Sequence, residues 1–157
     1  MAHSVLVALA ACVAGAALEG ICAGPGVKQR FSELRMPRFS PPLAAWIVIG
    51  VAYYVICFAV IRRLLVLPAS RMRSACLALV TVVLVANAFW NFVFFRVRSV
   101  RSAFATTIVY SVAALCLLVL LLSFDAIAGR WFLPYAGYLA YANAWGCALV
   151  RANSQRG

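Results

Sequence analysis

The sequence predicts an all-α fold, an integral membrane bundle of five transmembrane helices. Three observations predict it. Of 157 residues, 67% are hydrophobic and 11% charged, and mean hydropathy is +1.02; a soluble domain is nearer half apolar and a quarter charged. Five apolar runs reach the roughly 20 residues that cross about 30 Å of hydrocarbon. The runs are continuous rather than alternating, which excludes a barrel, the other architecture that pairs every backbone group inside lipid.

The predicted spans are Ser4–Ala23, Leu43–Ile61, Ala75–Phe95, Ala103–Phe124 and Trp131–Val150, and Glu19 is the formal charge inside them. With no internal repeat or low-complexity tail, residues 1–157 read as one membrane domain. In the first run, Leu9-Ala10-Ala11-Cys12 resembles a lipoprotein cleavage site. No Lys or Arg precedes the run, however, and a signal needs a basic start. Its length also favours a retained helix.

Between the first two spans lies a loop, 24–42. Its stretch Phe31-Ser-Glu-Leu-Arg-Met-Pro-Arg-Phe-Ser-Pro-Pro42 holds three prolines. Proline fixes φ and removes a donor, so a stiff, extended lead into the second span is expected. About 20 residues is long for joining adjacent helices; plain connector and lid both remain open.

On the second span Trp46, Gly50, Tyr53 and Cys57 share a face. On the third, Asn87, Trp90, Asn91 and Phe94 fall at i, i+3, i+4 and i+7. Two amides at membrane depth are costly without partners; interhelical hydrogen bonding and a polar contact in an aromatic pocket both account for them. On the fifth span Tyr135, Tyr138, Ala142 and Trp145 line up. Trp131 and Tyr135 also suit an interfacial aromatic belt, whereas Tyr138 and Tyr141 lie deeper, where a hydroxyl needs a partner. Aromatic faces on several helices are what a flat apolar ligand requires.

Charge lies between the spans. Lys28, Arg30, Arg35 and Arg38 occupy the first loop, Arg96, Arg98 and Arg101 the third, and Arg151 and Arg156 the tail. The opposite side has Arg62, Arg63, Arg71, Arg73 and Arg130. The positive-inside rule therefore places the first loop and the C-terminus on the cytoplasmic side, of a bacterial inner membrane or an organelle membrane. A net charge of +11 suits anionic lipid headgroups. Nucleic acid is not an expected partner, because the basic residues are split between two faces without a binding fold.

The six cysteines have no metal-type spacing and read as buried apolar thiols. His3 is the lone histidine, which leaves no ligand set for zinc, no axial pair for haem and no Ser-His-Asp triad. No metal site, obligatory cofactor or catalytic residue is assigned. Glu19 has two readings: an intramembrane acid is a functional candidate, as in proton-coupled small multidrug-type transporters, and an acid near a helix end also reaches water beside the basic first loop. Gly20-x-x-x-Gly24 reads as a weak close-packing patch.

Taken together, these segments resemble the translocator protein family, also called tryptophan-rich sensory proteins (TspO/MBR). Pro37-Arg-Phe-Ser-Pro-Pro42 resembles its Pro-Trp-Trp-Ser/Asn-Pro-Pro loop, and Tyr54 its second-helix Trp-x-x-x-Tyr tyrosine. Asn87-x-x-Trp90 with Phe94-Phe95 resembles its third-helix signature. Asp125, Ala128-Gly129 and Leu133-Pro134-Tyr135 resemble its last loop and fifth helix. The resemblance implies a homodimeric five-helix bundle. It implies binding of porphyrins, haem-related tetrapyrroles, sterols or drug-like molecules, for transport, sensing or reception, and light-dependent porphyrin breakdown in some bacterial members.

The residues expected to line the ligand pocket are Phe39, Pro41, Trp46, Tyr53, Tyr54, Asn87, Trp90, Asn91, Phe94, Tyr135, Tyr138 and Ala142. The chain departs from the family where tryptophan matters. Arg38 and Phe39 replace the loop pair, Gly50 the second-helix tryptophan and Tyr138 the one after Pro-Tyr. Trp46, one turn before Gly50, is a candidate to refill that space. Porphyrin breakdown is therefore not expected. Cys147 stands at the central tyrosine of the sterol-recognition pattern, so sterol recognition is not carried over.

Overall fold

The computed structural model describes residues 2–154. Helix α1 spans Ala2–Ala23, α2 Val27–Glu33, α3 Leu43–Val66, α4 Arg71–Asn91, α5 Val100–Phe124 and α6 Ala126–Asn153. A π-helical turn, Phe92–Val97, prolongs α4.

Each long helix outruns its predicted span by a few residues. An apolar run marks the hydrocarbon depth, whereas a helix continues until a cap or turn stops it. Ser70 caps α4 by accepting from the Arg73 amide at 3.1 Å, and Ser99 caps α5 through the Ser102 amide at 3.2 Å. Such side chains satisfy amides that have no intrahelical partner. Gly24 stops α1 in the left-handed region at φ +66°. A β-carbon there would also lie 2.7 Å from Arg96 Nε, whose guanidinium donates to the Ile21 carbonyl at 3.2 Å.

Several expectations change. Four helices are long and apolar enough to cross a membrane: Ala2–Ala23, Leu43–Val66, Arg71–Val97 and Val100–Phe124. α6 is longer still at 28 residues, but its Tyr, Trp, Gly, Pro and Asn positions dilute its apolarity, so the expected five spans reduce to four on this criterion. The loop stretch 31–42 is not extended throughout, because Phe31–Glu33 complete α2. Among the described residues nothing lies within 4 Å of a β-carbon at Gly20, so this glycine is left open for contact from outside the chain, while Gly24 ends the helix. Cys12, Cys57 and Cys76 are buried free thiols as expected, whereas Cys116 is exposed.

The long helices close a ring in the order α1, α3, α6, α5, α4. At one end a dense core of Val60, Leu64, Val83, Leu117, Leu121 and Phe132 fills the ring. At the other, Phe94, Trp145 and Leu149 form a second cluster beneath the α2 segment, packed by Leu34, Met36, Trp46 and Trp90.

Asp125 alone separates α5 from α6. Its amide donates to the Leu121 carbonyl at 2.8 Å, ending α5, and its carboxylate accepts from the Ala128 amide at 2.8 Å, starting α6. The same carboxylate takes a two-pronged contact from Arg63 of α3, with Nε–Oδ1 3.1 Å and Nη2–Oδ2 2.8 Å. This reversal demands close approach at Gly129, where a β-carbon would sit 2.5 Å from Leu122 Cδ2 and 3.0 Å from its Cα. Arg30 does similar work at the other end. Buried to 7% exposure, it donates to the carbonyls of Phe94 (3.3 Å) and Arg98. Those carbonyls end the π turn, where Arg98 itself adopts φ +62°.

Gly129→Ala is expected to destabilise the bundle by about 1–3 kcal/mol, because backbone as well as side chain must give way. Gly50→Ala, with nothing within 4 Å of the new carbon, should gain up to about 1 kcal/mol of helix propensity. Unfolding in mixed detergent micelles compares the two directly.

The bonds from Arg63, and then the Ala128 and Ile127 amides, hold the Asp125 carboxyl below its usual range. A depressed folded pKa contributes stability above the unfolded value, near 3.9, and that stability is lost as pH falls through the folded value. Acid unfolding should therefore steepen below about pH 4. Asp125→Asn, which keeps a capping side chain, should lower stability at neutral pH and flatten that acid limb.

Candidate functional site

Between the two packed ends lies a cavity of about 790 Å³ with walls from α1, α3, α4, α5 and α6, reached at one edge by Val27 and Phe31 of α2. It lies within the usual range for small-molecule sites. Exposed Leu9 and Val13 on α1 and Ile47, Val51 and Val55 on α3 belong to its lining, so it reaches the surface between these helices.

Nine of the twelve expected residues line it: Trp46, Tyr53, Tyr54, Asn87, Trp90, Asn91, Tyr135, Tyr138 and Ala142. Phe39, Pro41 and Phe94 do not. Phe39 lies on the outer loop, half exposed, edge-on to Tyr141 at 6.1 Å. Its carbonyl accepts from the Tyr141 hydroxyl at 3.0 Å. Pro41 stands in the same segment, which runs up to the cap of α3 at Pro42. Phe94 shares the face of Asn87 and Trp90 in the sequence, but it lies further along, in the π turn that starts at Phe92, and belongs to the end cluster. There it stacks on Trp90 with centroids 4.9 Å apart.

Three of the four tryptophans, Trp46, Trp90 and Trp145, line the cavity. Trp90 is fixed by donation from Nε1 to Thr107 Oγ1 at 2.9 Å. Trp145 stands edge-on to Trp46 at 5.0 Å and donates to Ser40 Oγ at 2.8 Å, tying the proline loop to α6. Asn153 adds a reciprocal pair, accepting from the Arg35 amide and donating to its carbonyl, both at 3.1 Å. The loop is thus latched along α6 over the cavity end of the bundle. Gly50 and Tyr138, which stand at tryptophan positions of the resembled pattern, both line the cavity. Space beside Gly50 is open, and Trp46 faces the same void.

Polar groups in the walls are few and mostly committed. Tyr53 donates to the Val83 carbonyl at 3.4 Å, and Asn91 to the Asn87 carbonyl of its own helix at 3.0 Å. Cys12, also in the lining, points its thiol at the Tyr54 carbonyl, 3.6 Å away. Tyr110 Oη and Trp46 Nε1 are buried without a hydrogen-bond partner among the described residues.

Glu19, for which the sequence left an intramembrane and a water-facing reading, is partly buried. It lines the cavity, and its Oε2 accepts from Tyr54 Oη at 2.7 Å and Asn87 Nδ2 at 2.8 Å. Three helices meet at this carboxylate. Both partners were recognisable as site residues, but their pairing with Glu19 was not, since it joins positions 35 and 68 residues apart. Thr107 and Tyr110 of α5 also went unmarked, because single polar residues in a long apolar run have no sequence pattern to distinguish them.

Comparison with curated protein sequences returns no match. The model of the TspO/MBR family, in contrast, aligns with residues 8–151, from the second turn of α1 to the last turn of α6. The ring of helices, its latched proline loop and its aromatic cavity all lie within that match, and the chain belongs to the TspO/MBR family.

Proposed function

We propose that this membrane protein binds a planar hydrophobic molecule of the tetrapyrrole kind in the cavity between its helices, for transport or sensing. The observation that carries this reading is the cavity itself. It is large enough for a drug-sized ligand, its walls are mostly apolar, and three tryptophans and five tyrosines (Tyr53, Tyr54, Tyr110, Tyr135 and Tyr138) supply flat surface.

Five crossings belong to the same proposal. α6 meets Arg63 at its Asp125 end and Arg35 at its Asn153 end, so it runs between the same two ends as the four more apolar helices. A homodimer, with the first loop and C-terminus cytoplasmic beside anionic headgroups, completes it.

The lining favours some tetrapyrroles over others. No Lys or Arg lines the cavity among the described residues, so carboxylate substituents would have to project out of it. No histidine lines it either, which leaves haem iron without its commonest axial donor.

Protoporphyrin should quench tryptophan emission of the purified protein strongly, because three of the four tryptophans border the cavity. An Asn87→Ala/Trp90→Ala double variant should bind at least about tenfold more weakly, losing a ring and an amide from the wall. Equal titration curves would remove the site from consideration.

Glu19 in the cavity wall favours a second reading, proton-coupled efflux. On that reading, Glu19→Gln in sealed vesicles abolishes uptake of a fluorescent drug driven by a proton gradient; undiminished uptake ends it.

A further inference from the structure

The chain has three acidic residues against fourteen basic ones. Two of the acids are neutralised in place. Asp125 pairs with Arg63 at 2.8 Å, and Glu33 pairs with Arg98 at 2.9 Å and Arg30 at 3.8 Å. Glu19 has no basic partner among the described residues, although the protein is strongly basic overall. No described Lys or Arg reaches the cavity wall where it stands.

Its hydrogen bonding is also one-sided. Tyr54 and Asn87 both donate to Oε2, whereas Oε1 accepts from no described residue. Tyr54 and Asn87 hold the carboxylate toward the cavity without supplying positive charge. A carboxylate in an apolar wall is costly unless a cation or donors offset it. The aromatic lining, with Trp46, Trp90 and five tyrosines, adds a matching property, since the faces of such rings attract cations.

We infer that the cavity selects flat, apolar molecules bearing a positive charge, such as a protonated amine on an aromatic ring system, and that Glu19 Oε1 is the anchor for that charge. The ring system occupies the aromatic space beside Gly50, and the ammonium donates to Oε1. This rests on the reading that the cavity takes planar hydrophobic ligands, and it specifies their charge. Analogues that carry a negative charge into the cavity are disfavoured, because that charge would face Glu19 with no described base in the wall to offset it, whereas carboxylates that project out of the cavity avoid it.

Three pyrene probes separate ring from charge: 1-pyrenemethylamine, cationic at pH 7, 1-pyrenemethanol, neutral, and 1-pyrenecarboxylate, anionic. Energy transfer from tryptophan to pyrene reads binding to the full-length protein in neutral detergent, with protein-free micelles subtracted. The amine should bind at least about tenfold more tightly than the alcohol, and the carboxylate most weakly. Glu19→Gln should bring the amine-to-alcohol affinity ratio close to one, and Glu19→Asp, which keeps the charge, should retain a preference for the amine. Circular dichroism establishes that both variants are folded. Equal affinity of the wild-type protein for amine and alcohol, or an undiminished ratio in Glu19→Gln, overturns the inference and leaves the planar-ligand reading standing. No energy transfer with any probe overturns both.

Discussion

Asp125 is the residue on which closure of the bundle depends. Lipid gives packed helices no hydrophobic reward over separated ones, so association rests on close packing and polar contacts. One residue joins the two longest helices, and one side chain both starts α6 and grips α3 through Arg63. The reversal works because Gly129 lets α6 descend against Leu122. With α5 and α6 fixed as a pair, and α3 bound to their junction, the ring has a rigid base. The dense core around Leu64, Leu117 and Phe132 occupies that end.

The opposite end is built differently, and this is why a void persists. There the helices are joined by side-chain hydrogen bonds rather than by interlocking aliphatic cores. Glu19, Tyr54 and Asn87 link α1, α3 and α4, while Trp90 and Thr107 link α4 and α5. Each such contact contributes on the order of 0.6–2 kcal/mol. Large aromatic rings then stand around the space rather than fill it. Trp145 and Asn153 hold the proline loop against α6, and Arg30 fastens α2 to the π turn. The covering segment is therefore tied to two sides of the ring.

Much of this was legible in the sequence because lipid imposes simple rules. Hydropathy located all five long helices, and helix periodicity placed Trp46, Tyr53, Asn87, Trp90, Tyr135 and Tyr138 on faces that do converge. Phe94 keeps the face of Trp90, on which it stacks, but lies beyond the cavity in the end cluster, a depth that periodicity does not encode. Periodicity failed at α2, where a short helix precedes the prolines, and Arg30 there read as loop charge although it caps buried carbonyls. Hydropathy located α6 as well, although Tyr135, Tyr138 and Trp145, which line the cavity, help make it less apolar than the other four. Glu19 was visible as an anomaly, but its surroundings depend on contacts with distant segments, and one sequence does not encode those as a local pattern.

The replaced tryptophans gain meaning from these placements. Gly50, two turns into α3, leaves space open, and nothing described lies within 4 Å of where its β-carbon would be. Trp46 stands one turn nearer the loop and meets Trp145 at 5.0 Å, while Trp145 in turn holds Ser40. Aromatic surface has thus moved from the middle of the wall toward the cover, where it is braced by the loop. Tyr138 keeps a ring on α6 but a smaller one, 5.9 Å from Tyr135. The open middle lies between these rings and the walls bearing Glu19 and Asn87. The cavity thus pairs a tryptophan-rich rim with the carboxylate of Glu19, and under the proposed function that pairing, rather than the fold, sets which ligand fits.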